Sequence, residues 1–188
     1  MSFRILGTNH TSFTVSDLER TLTFLRDCLG FEVISKAPRD PALVSRITGV
    51  EGADMMIAFL KAPGHTLELI EYRAPASKGA VKARPCDTGF AHVAFNVDDA
   101  DAAVAAAERY GVRPIAAPVA IDQGPNKGRK VVYLRDWDGI TIELIEAHEV
   151  LVHAHAAGDA VHDDADAPFA HRACASISSM VMPSQSRR

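Results

Sequence analysis

The same short pattern occurs twice in this chain, and each copy places one histidine and one glutamate at matching positions. The first copy runs His10-Thr-Ser-Phe-Thr-Val-Ser-Asp17, continues through a helix-like stretch and closes on Thr66-Leu-Glu68-Leu-Ile-Glu71. The second runs His92-Val-Ala-Phe-Asn-Val-Asp-Asp99, passes through another helix-like stretch and closes on Thr141-Ile-Glu143-Leu-Ile-Glu146. An internal duplication restricts the architecture more than local propensity does, because both copies must fold as one kind of unit.

Within the first copy, residues 8–15 alternate, with Thr11, Phe13 and Val15 on one side and His10, Ser12 and Thr14 on the other. That pattern predicts a half-buried strand. Ser16 is expected to cap the next helix, with Asp17 and Glu19 favouring its N-terminal dipole. Leu18, Leu22, Leu25 and Leu29 recur at helical spacing, and Gly30 supplies the stop. Phe31–Ser35 reads as a strand, and Met55–Leu60 with Thr66–Tyr72 as a hairpin turned by Pro63-Gly64. The stretch from Ala37 to Asp54 reads as a long loop that could shape the site, serve as a surface insertion or join a dimer contact. The second copy repeats the order: strand Ala91–Val97, an alanine-rich helix opened by Asp98 or Asp99 and ending before Gly111, strand Val112–Ile115, and a hairpin of Lys130–Leu134 and Ile140–Ile145 around Asp138-Gly139.

One such unit is too small to bury a core, whereas two side by side can do so. The expected fold is therefore α+β, two βαβββ modules in a pseudo-twofold arrangement forming a cupped mixed β-sheet. The modules fall at residues 1–75 and 89–148, with a linker at 76–88. Residues 149–188 lose periodicity, turn rich in Ala, His and Asp, and read as a disordered tail. Its histidines, His153, His155, His162 and His171, lack regular ligand spacing.

The 188 residues are 47% hydrophobic and carry a formal net charge of -4, so a general nucleic-acid or anionic-membrane binder is not expected. No apolar run is long enough to cross a bilayer, and the start reaches Asn9 and His10 too soon for a signal-peptide core. Cys28, Cys86 and Cys174 offer neither a disulfide framework nor a zinc-thiolate motif, which points to a cytoplasmic protein. Cys28, inside the first helix, is expected to be packed.

Strand parity links the two copies to chemistry. Side chains alternate between faces, so ligands must lie opposite the residues that pack on the helices. His10 lies opposite Thr11, Phe13 and Val15; Glu68 opposite Leu67 and Leu69; His92 opposite Val93, Phe95 and Val97; Glu143 opposite Ile142 and Leu144. All four therefore project from the face the helices leave uncovered. Glu71 and Glu146 have the other parity, sit near strand ends where water can reach them, and are excluded. The two sheets are expected to curl around a common cup, where two imidazoles and two carboxylates would suit zinc, nickel, cobalt, manganese or ferrous iron.

The phrases Phe90-Ala-His92-Val-Ala-Phe-Asn-Val and Asp136-Trp-Asp-Gly-Ile-Thr-Ile-Glu143-Leu-Ile-Glu, with His10 and Leu67-Glu68-Leu, resemble the vicinal-oxygen-chelate superfamily. That superfamily includes glyoxalase I, methylmalonyl-CoA epimerase, extradiol dioxygenases and thiol-transferring resistance enzymes, and the resemblance covers about residues 5–147. By resemblance to bacterial glyoxalase I, His10, Glu68, His92 and Glu143 are the metal ligands. Methylmalonyl-CoA epimerases usually have Gln where this chain has Glu68.

The resemblance implies an isomerase, epimerase or lyase that uses one divalent metal per site (Ni, Zn, Co or Mn) and transfers a proton through an enediolate on a small carbonyl or thioester substrate. Glu143 would be the principal base and Glu68 would serve the opposite face. Where glyoxalase I commonly holds glutathione with Arg, Asn and Arg, this chain has Thr14, Tyr72 and Thr88, so lactoylglutathione lyase is the nearest named activity without its thiol grip. Lys127, Arg129 and Lys130 are candidate clamps for a substrate carboxylate or phosphate, or else a solvated hairpin rim. Two alternatives stay open: an extradiol-type dioxygenase with Fe(II) on His10, His92 and Glu143, or a metal-free binding or resistance protein of the same fold. A homodimer is expected, as is common in this superfamily.

Overall fold

The computed structural model describes residues 3–147, which form two sheets on one plan. The first module contains β1 (Thr11–Thr14), α1 (Leu18–Thr23), β2 (Glu32–Pro38), α2 (Pro41–Thr48), β3 (Asp54–Ala62) and β4 (His65–Ala74). The second contains β5 (His92–Val97), α3 (Ala100–Glu108), β6 (Arg113–Pro114), β7 (Val119–Ala120), β8 (Lys130–Arg135) and β9 (Thr141–Glu146). The strand orders are β1-β4-β3-β2 and β5-β9-β8-β6, with β7 also paired to β8. In each sheet the first strand runs parallel to the last, and the other pairings are antiparallel. The α+β class and the duplicated module are thus as the sequence implies. No helix among the described residues is long and apolar enough to cross a membrane. The segment read as a tail, with its four histidines, lies outside the described residues.

Several local expectations are corrected. β1 starts at Thr11, so His10 immediately precedes it. Asp17, not Ser16, caps α1, accepting the Arg20 N–H at 3.0 Å. Ser16 instead donates its backbone N–H to Asp138 Oδ2 of the second module at 2.8 Å. Past Thr23, α1 continues as a π-helical stretch, Phe24–Cys28, where the Leu29 N–H reaches the Phe24 carbonyl at 3.3 Å. The expected loop 37–54 contains α2. Asp40 accepts the Ala42 N–H at 3.0 Å, Pro41 opens the helix, and Gly49 ends it at φ 71°. In the second module Asp99 is the cap, accepting from Ala102 N–H at 2.9 Å.

The excluded glutamates have a structural task. Glu71 Oε2 accepts the Leu18 N–H at 3.1 Å, and Glu146 Oε2 accepts the Ala100 N–H at 3.2 Å. Each carboxylate satisfies an orphan donor at the start of its module's helix and complements the dipole there. Water-facing strand ends were therefore the wrong surroundings for them.

A single core joins the modules. Leu18, Leu22, Phe24, Leu60, Leu67 and Leu69 pack with Ala107, Val112, Val132, Leu134, Ile142 and Leu144. Phe31 meets Phe95 edge-on with centroids 5.1 Å apart, and the Arg20 guanidinium lies 3.8 Å from the Trp137 ring centroid. A second cluster, Val44, Ala53, Met55 and Ile57, with Phe59, Ile70 and Tyr72 packed against it, covers the opposite side of the first sheet under α2. The first sheet is thus packed on both faces and the two clusters use alternating positions of β3.

The β8–β9 turn is organised by Asp136, which accepts the backbone N–H groups of Asp138 and Ile140, both at 2.9 Å. Burial outweighs these bonds and raises its carboxyl to about 6. An acid whose folded pKa exceeds its unfolded one stabilises the fold in its protonated form. That contribution is complete below about pH 4 and is lost as pH rises through about 6.

Two outcomes follow for stability. Leu144 is 1% exposed, and Leu144→Ala should lower the unfolding free energy by about 2–5 kcal/mol in urea titrations, against under about 1 kcal/mol for Leu43→Ala on the outer side of α2. Asp136→Asn, which keeps an acceptor oxygen, should gain melting temperature over the parent progressively from about pH 4 to pH 7. Parallel pH curves would remove Asp136 as the cause.

Candidate metal centre

Each first strand and last strand deliver one pair. β1 and β4 align Ser12 with Glu68, and β5 and β9 align Ala94 with Glu143. The histidine two residues before the aligned position falls on the same face in both modules. His10 Nε2 lies 3.3 Å from Glu68 Oε2, and His92 Nε2 lies 3.0 Å from Glu143 Oε2. The imidazoles are 32% and 33% exposed, and the carboxylates 12% and 18%, so both pairs open to solvent over a shielded acid.

His10 Nδ1 sits 2.6 Å from Asn9 Oδ1. An amide oxygen only accepts, so Nδ1 donates and a neutral ring carries its lone pair on Nε2. On a neutral ring that lone pair would face a carboxylate oxygen with room for a shared cation, whereas a protonated ring would donate its Nε2–H to Glu68 Oε2. Metal–ligand bonds of about 2.0–2.2 Å at tetrahedral or octahedral angles hold neighbouring donor atoms roughly 3.0–3.5 Å apart. Both pairs fit that spacing.

The four predicted ligands are brought together as two pairs, not as one set. Among the described residues no group of three or more His, Cys, Asp or Glu side chains gathers in metal-binding geometry. The reason is visible in the packing. Phe13, Leu67, Leu69, Val93, Ile142 and Leu144 turn toward the shared core, so the opposite faces, with His10–Glu68 and His92–Glu143, both turn away from it. Within one chain each pair holds one imidazole and one carboxylate of the four predicted ligands.

An aromatic ring backs each histidine. Phe59 pairs with Glu68 across β3–β4, and its ring meets His10 edge-on at 5.8 Å. Tyr133 pairs with Glu143 across β8–β9, and its ring lies 5.1 Å from that of His92. Burial, then the nearby Glu143 carboxylate, pushes the Tyr133 phenol up from its ordinary value. Neither ring was singled out from sequence, although counting back across the Pro63-Gly64 and Asp138-Gly139 turns would have found both.

The candidate clamp residues disperse. Lys130 has the parity of Val132 and Leu134 and pairs with Asp101 on α3, away from the Glu143 face. Arg129 Nη1 donates to Asn126 Oδ1 at 3.3 Å, and Lys127 donates its backbone N–H to the Gly124 carbonyl at 3.1 Å. Cys28 packs against the core as expected, and burial raises its thiol. A cavity of 580 Å³ is lined by Thr14, Ser16, Tyr72, Lys78, Phe90 and Asp138 among others, and by none of the four predicted ligands. Thr14 and Tyr72 stand four residues beyond His10 and Glu68.

Comparison with known proteins agrees with this fold. A 2-epi-5-epi-valiolone epimerase of Actinomyces sp. is 33% identical over 145 residues, covering 74% of this chain and 79% of that protein. A glyoxalase family protein from Bacillus cereus superposes with TM-score 0.68 at 24% identity, covering 77% of this chain and 96% of that one. The fosfomycin resistance protein FosX from Listeria monocytogenes, solved with Mn(II) and sulfate, superposes with TM-score 0.52 at 18% identity over 78% of this chain and 97% of that one. Residues 7–144 match the Glyoxalase/Bleomycin resistance protein/Dioxygenase superfamily, and the chain belongs to it.

Proposed function

We propose that this chain is a metal-dependent isomerase or epimerase that acts as a homodimer, with each site built from His10 and Glu68 of one copy and His92 and Glu143 of another. The observation that carries the reading is the pair of half-sets, each with cation-matched spacing and each turned outward from the shared core. Two twofold-related copies facing one another would supply two complete sets. The similarity to an epimerase supports proton transfer as the reaction class.

A divalent metal would supply Lewis-acid polarisation of the substrate carbonyl. Glu143 takes the proton from the carbon beside that carbonyl, and the bonding pair moves toward the oxygen to give an enediolate. Glu68 of the second copy, protonated from solvent beforehand, delivers that proton to the opposite face and inverts the carbon, and Glu143 returns its proton to solvent, with no net redox change. The two histidines hold position as neutral ligands. Phe59 and Tyr133 limit water around the carboxylates, which favours proton transfer over exchange with solvent. Thr14 and Tyr72, four residues beyond His10 and Glu68, offer hydroxyls and no guanidinium, which suits a hydroxylated carbonyl compound better than the two carboxylates of glutathione.

Separately purified His10→Ala and His92→Ala chains should each bind little metal beyond the background of a double variant. When the two are refolded together, about half of the dimers become hybrids with one intact site, giving about a quarter of the wild-type capacity. No recovery, or a one-chain mass by light scattering, would overturn the shared site. Iron as the sole metal retained would favour ring-cleaving dioxygenase chemistry instead.

Glu143→Gln should keep metal within about twofold but lose at least about 100-fold in proton exchange, followed in D₂O across hydroxylated ketones, 2-oxoaldehyde–thiol adducts and CoA thioesters. Full activity in this variant would remove Glu143 as the base.

A further inference from the structure

At one equivalent position the duplicated sheets carry different charge pairings. Lys61 and Arg135 correspond, since Lys61 pairs with Thr66, two residues before Glu68, and Arg135 pairs with Thr141, two before Glu143. Across the neighbouring ladder Lys61 faces Glu32, an ordinary opposite-charge pair. Arg135 instead faces Arg113. Residues directly opposite on antiparallel strands hold their Cβ atoms about 4.5–5.5 Å apart, and like charges placed so repel. Among the described residues neither arginine has an acidic partner. Arg113 is exposed. Arg135 is half-buried and donates from Nη2 to the Ala83 carbonyl at 2.9 Å and from Nε to Thr141 Oγ1 at 3.4 Å. Its Nη1 hydrogens remain uncommitted among the described residues.

Both arginines lie on the outer face of the second sheet. Val112, Val132 and Leu134 are buried in the shared core, and Arg113 and Arg135 alternate with them. The register sets His92, Thr141, Arg135 and Arg113 in one transverse row across β5, β9, β8 and β6. Strands stand about 4.8 Å apart, so two spacings put the Arg135 backbone roughly 10 Å from that of His92. An arginine and a histidine reaching from such positions can hold opposite ends of one small molecule. In the first module α2 packs on the outer face, whereas the second module has no helix between its second and third strands.

We propose that Arg113 and Arg135 together bind a phosphate monoester group of the substrate, whose carbonyl end reaches the His92–Glu143 pair. A phosphate monoester carries nearly two negative charges and three acceptor oxygens. Placed between two guanidinium forks, it replaces their repulsion with charge-assisted hydrogen bonds. One carboxylate would leave one of the two charges unbalanced. The assignment to the substrate rests on the metal-centre reading above; phosphate binding by the two arginines does not.

The test has two stages, both on full-length protein. Metal-free protein is first titrated with inorganic phosphate by calorimetry at low salt. Saturable binding is expected, at least about tenfold weaker in Arg113→Gln and unchanged within about twofold in Arg129→Gln on the hairpin loop. Arg113→Glu, which restores the opposite-charge pairing of the first module, should abolish the binding and raise the melting temperature in phosphate-free buffer. No saturable binding in wild type, or an equal loss in Arg129→Gln, would overturn the anchor. Protein loaded with Co(II) is then titrated with 3-phosphoglycerate and with glycerate, which lacks the phosphate, and the visible bands are followed. Arg113→Gln should weaken 3-phosphoglycerate about tenfold and leave glycerate unchanged. Equal affinities of wild type and variant for 3-phosphoglycerate would overturn the assignment to the substrate. Failure to take up cobalt would overturn the metal centre and that assignment with it, while the metal-free titration decides the anchor by itself.

Discussion

Parallel pairing of the first and last strands of each module is the constraint on which the remaining structure depends. It aligns Ser12 with Glu68 and Ala94 with Glu143, and this places a histidine and a glutamate on one face at the same offset in both halves. A slip of one residue would send each glutamate into the core and each leucine out to solvent. The same four residues, Glu-Leu-Ile-Glu, then serve three ends. The first glutamate joins the histidine, the leucine enters the core, and the second glutamate, three positions on and so on the other face, holds the N-terminus of the module's helix. Register, core and helix position are thereby tied to one short strand.

The parts of the fold visible in the sequence are those with a strong period or a repeat. Alternation in 8–15 and 91–97 locates β1 and β5, and duplication orders the elements. Other features depend on contacts that period does not encode. Ser16 resembles a cap, yet its N–H is engaged by Asp138, 122 positions away, which leaves capping to Asp17. α2 was hidden because its residues pack on the opposite side of the first sheet from the main core, although Asp40, Pro41 and Gly49 were legible as its start and stop. Parity placed all four predicted ligands opposite the shared core, although in the first module that face is not uncovered, since α2 packs over Met55 and Ile57 there. It could not say that the two faces diverge, since that depends on how the modules share a core.

The two halves have kept the same frame and changed what surrounds it. The first has α2 over Met55 and Ile57, with Phe59 beside its pair; the second has no matching helix and has Tyr133 beside its pair. A duplicated frame permits such divergence because the strand ladders fix the imidazole and carboxylate, while the outer faces lie away from the core the modules share. Leu67, Leu69, Ile142 and Leu144 cannot vary in this way without opening cavities that cost about 2–5 kcal/mol each.

Sharing one core between the modules has a consequence for the proposed centre. Two buried faces meet inside the chain, which leaves each outer face with an imidazole and a carboxylate together, and no third such side chain joins either pair among the described residues. A cation held by two donors gains far less than one held by four, so in the proposed dimer metal binding and association stabilise one another by mass action. The coupling is reciprocal: whatever strengthens the metal set strengthens the dimer by the same free energy. Substitutions at His10 or His92 would accordingly weaken association as well as metal affinity, whereas a change at Leu144 would act first on the core that aims both faces outward.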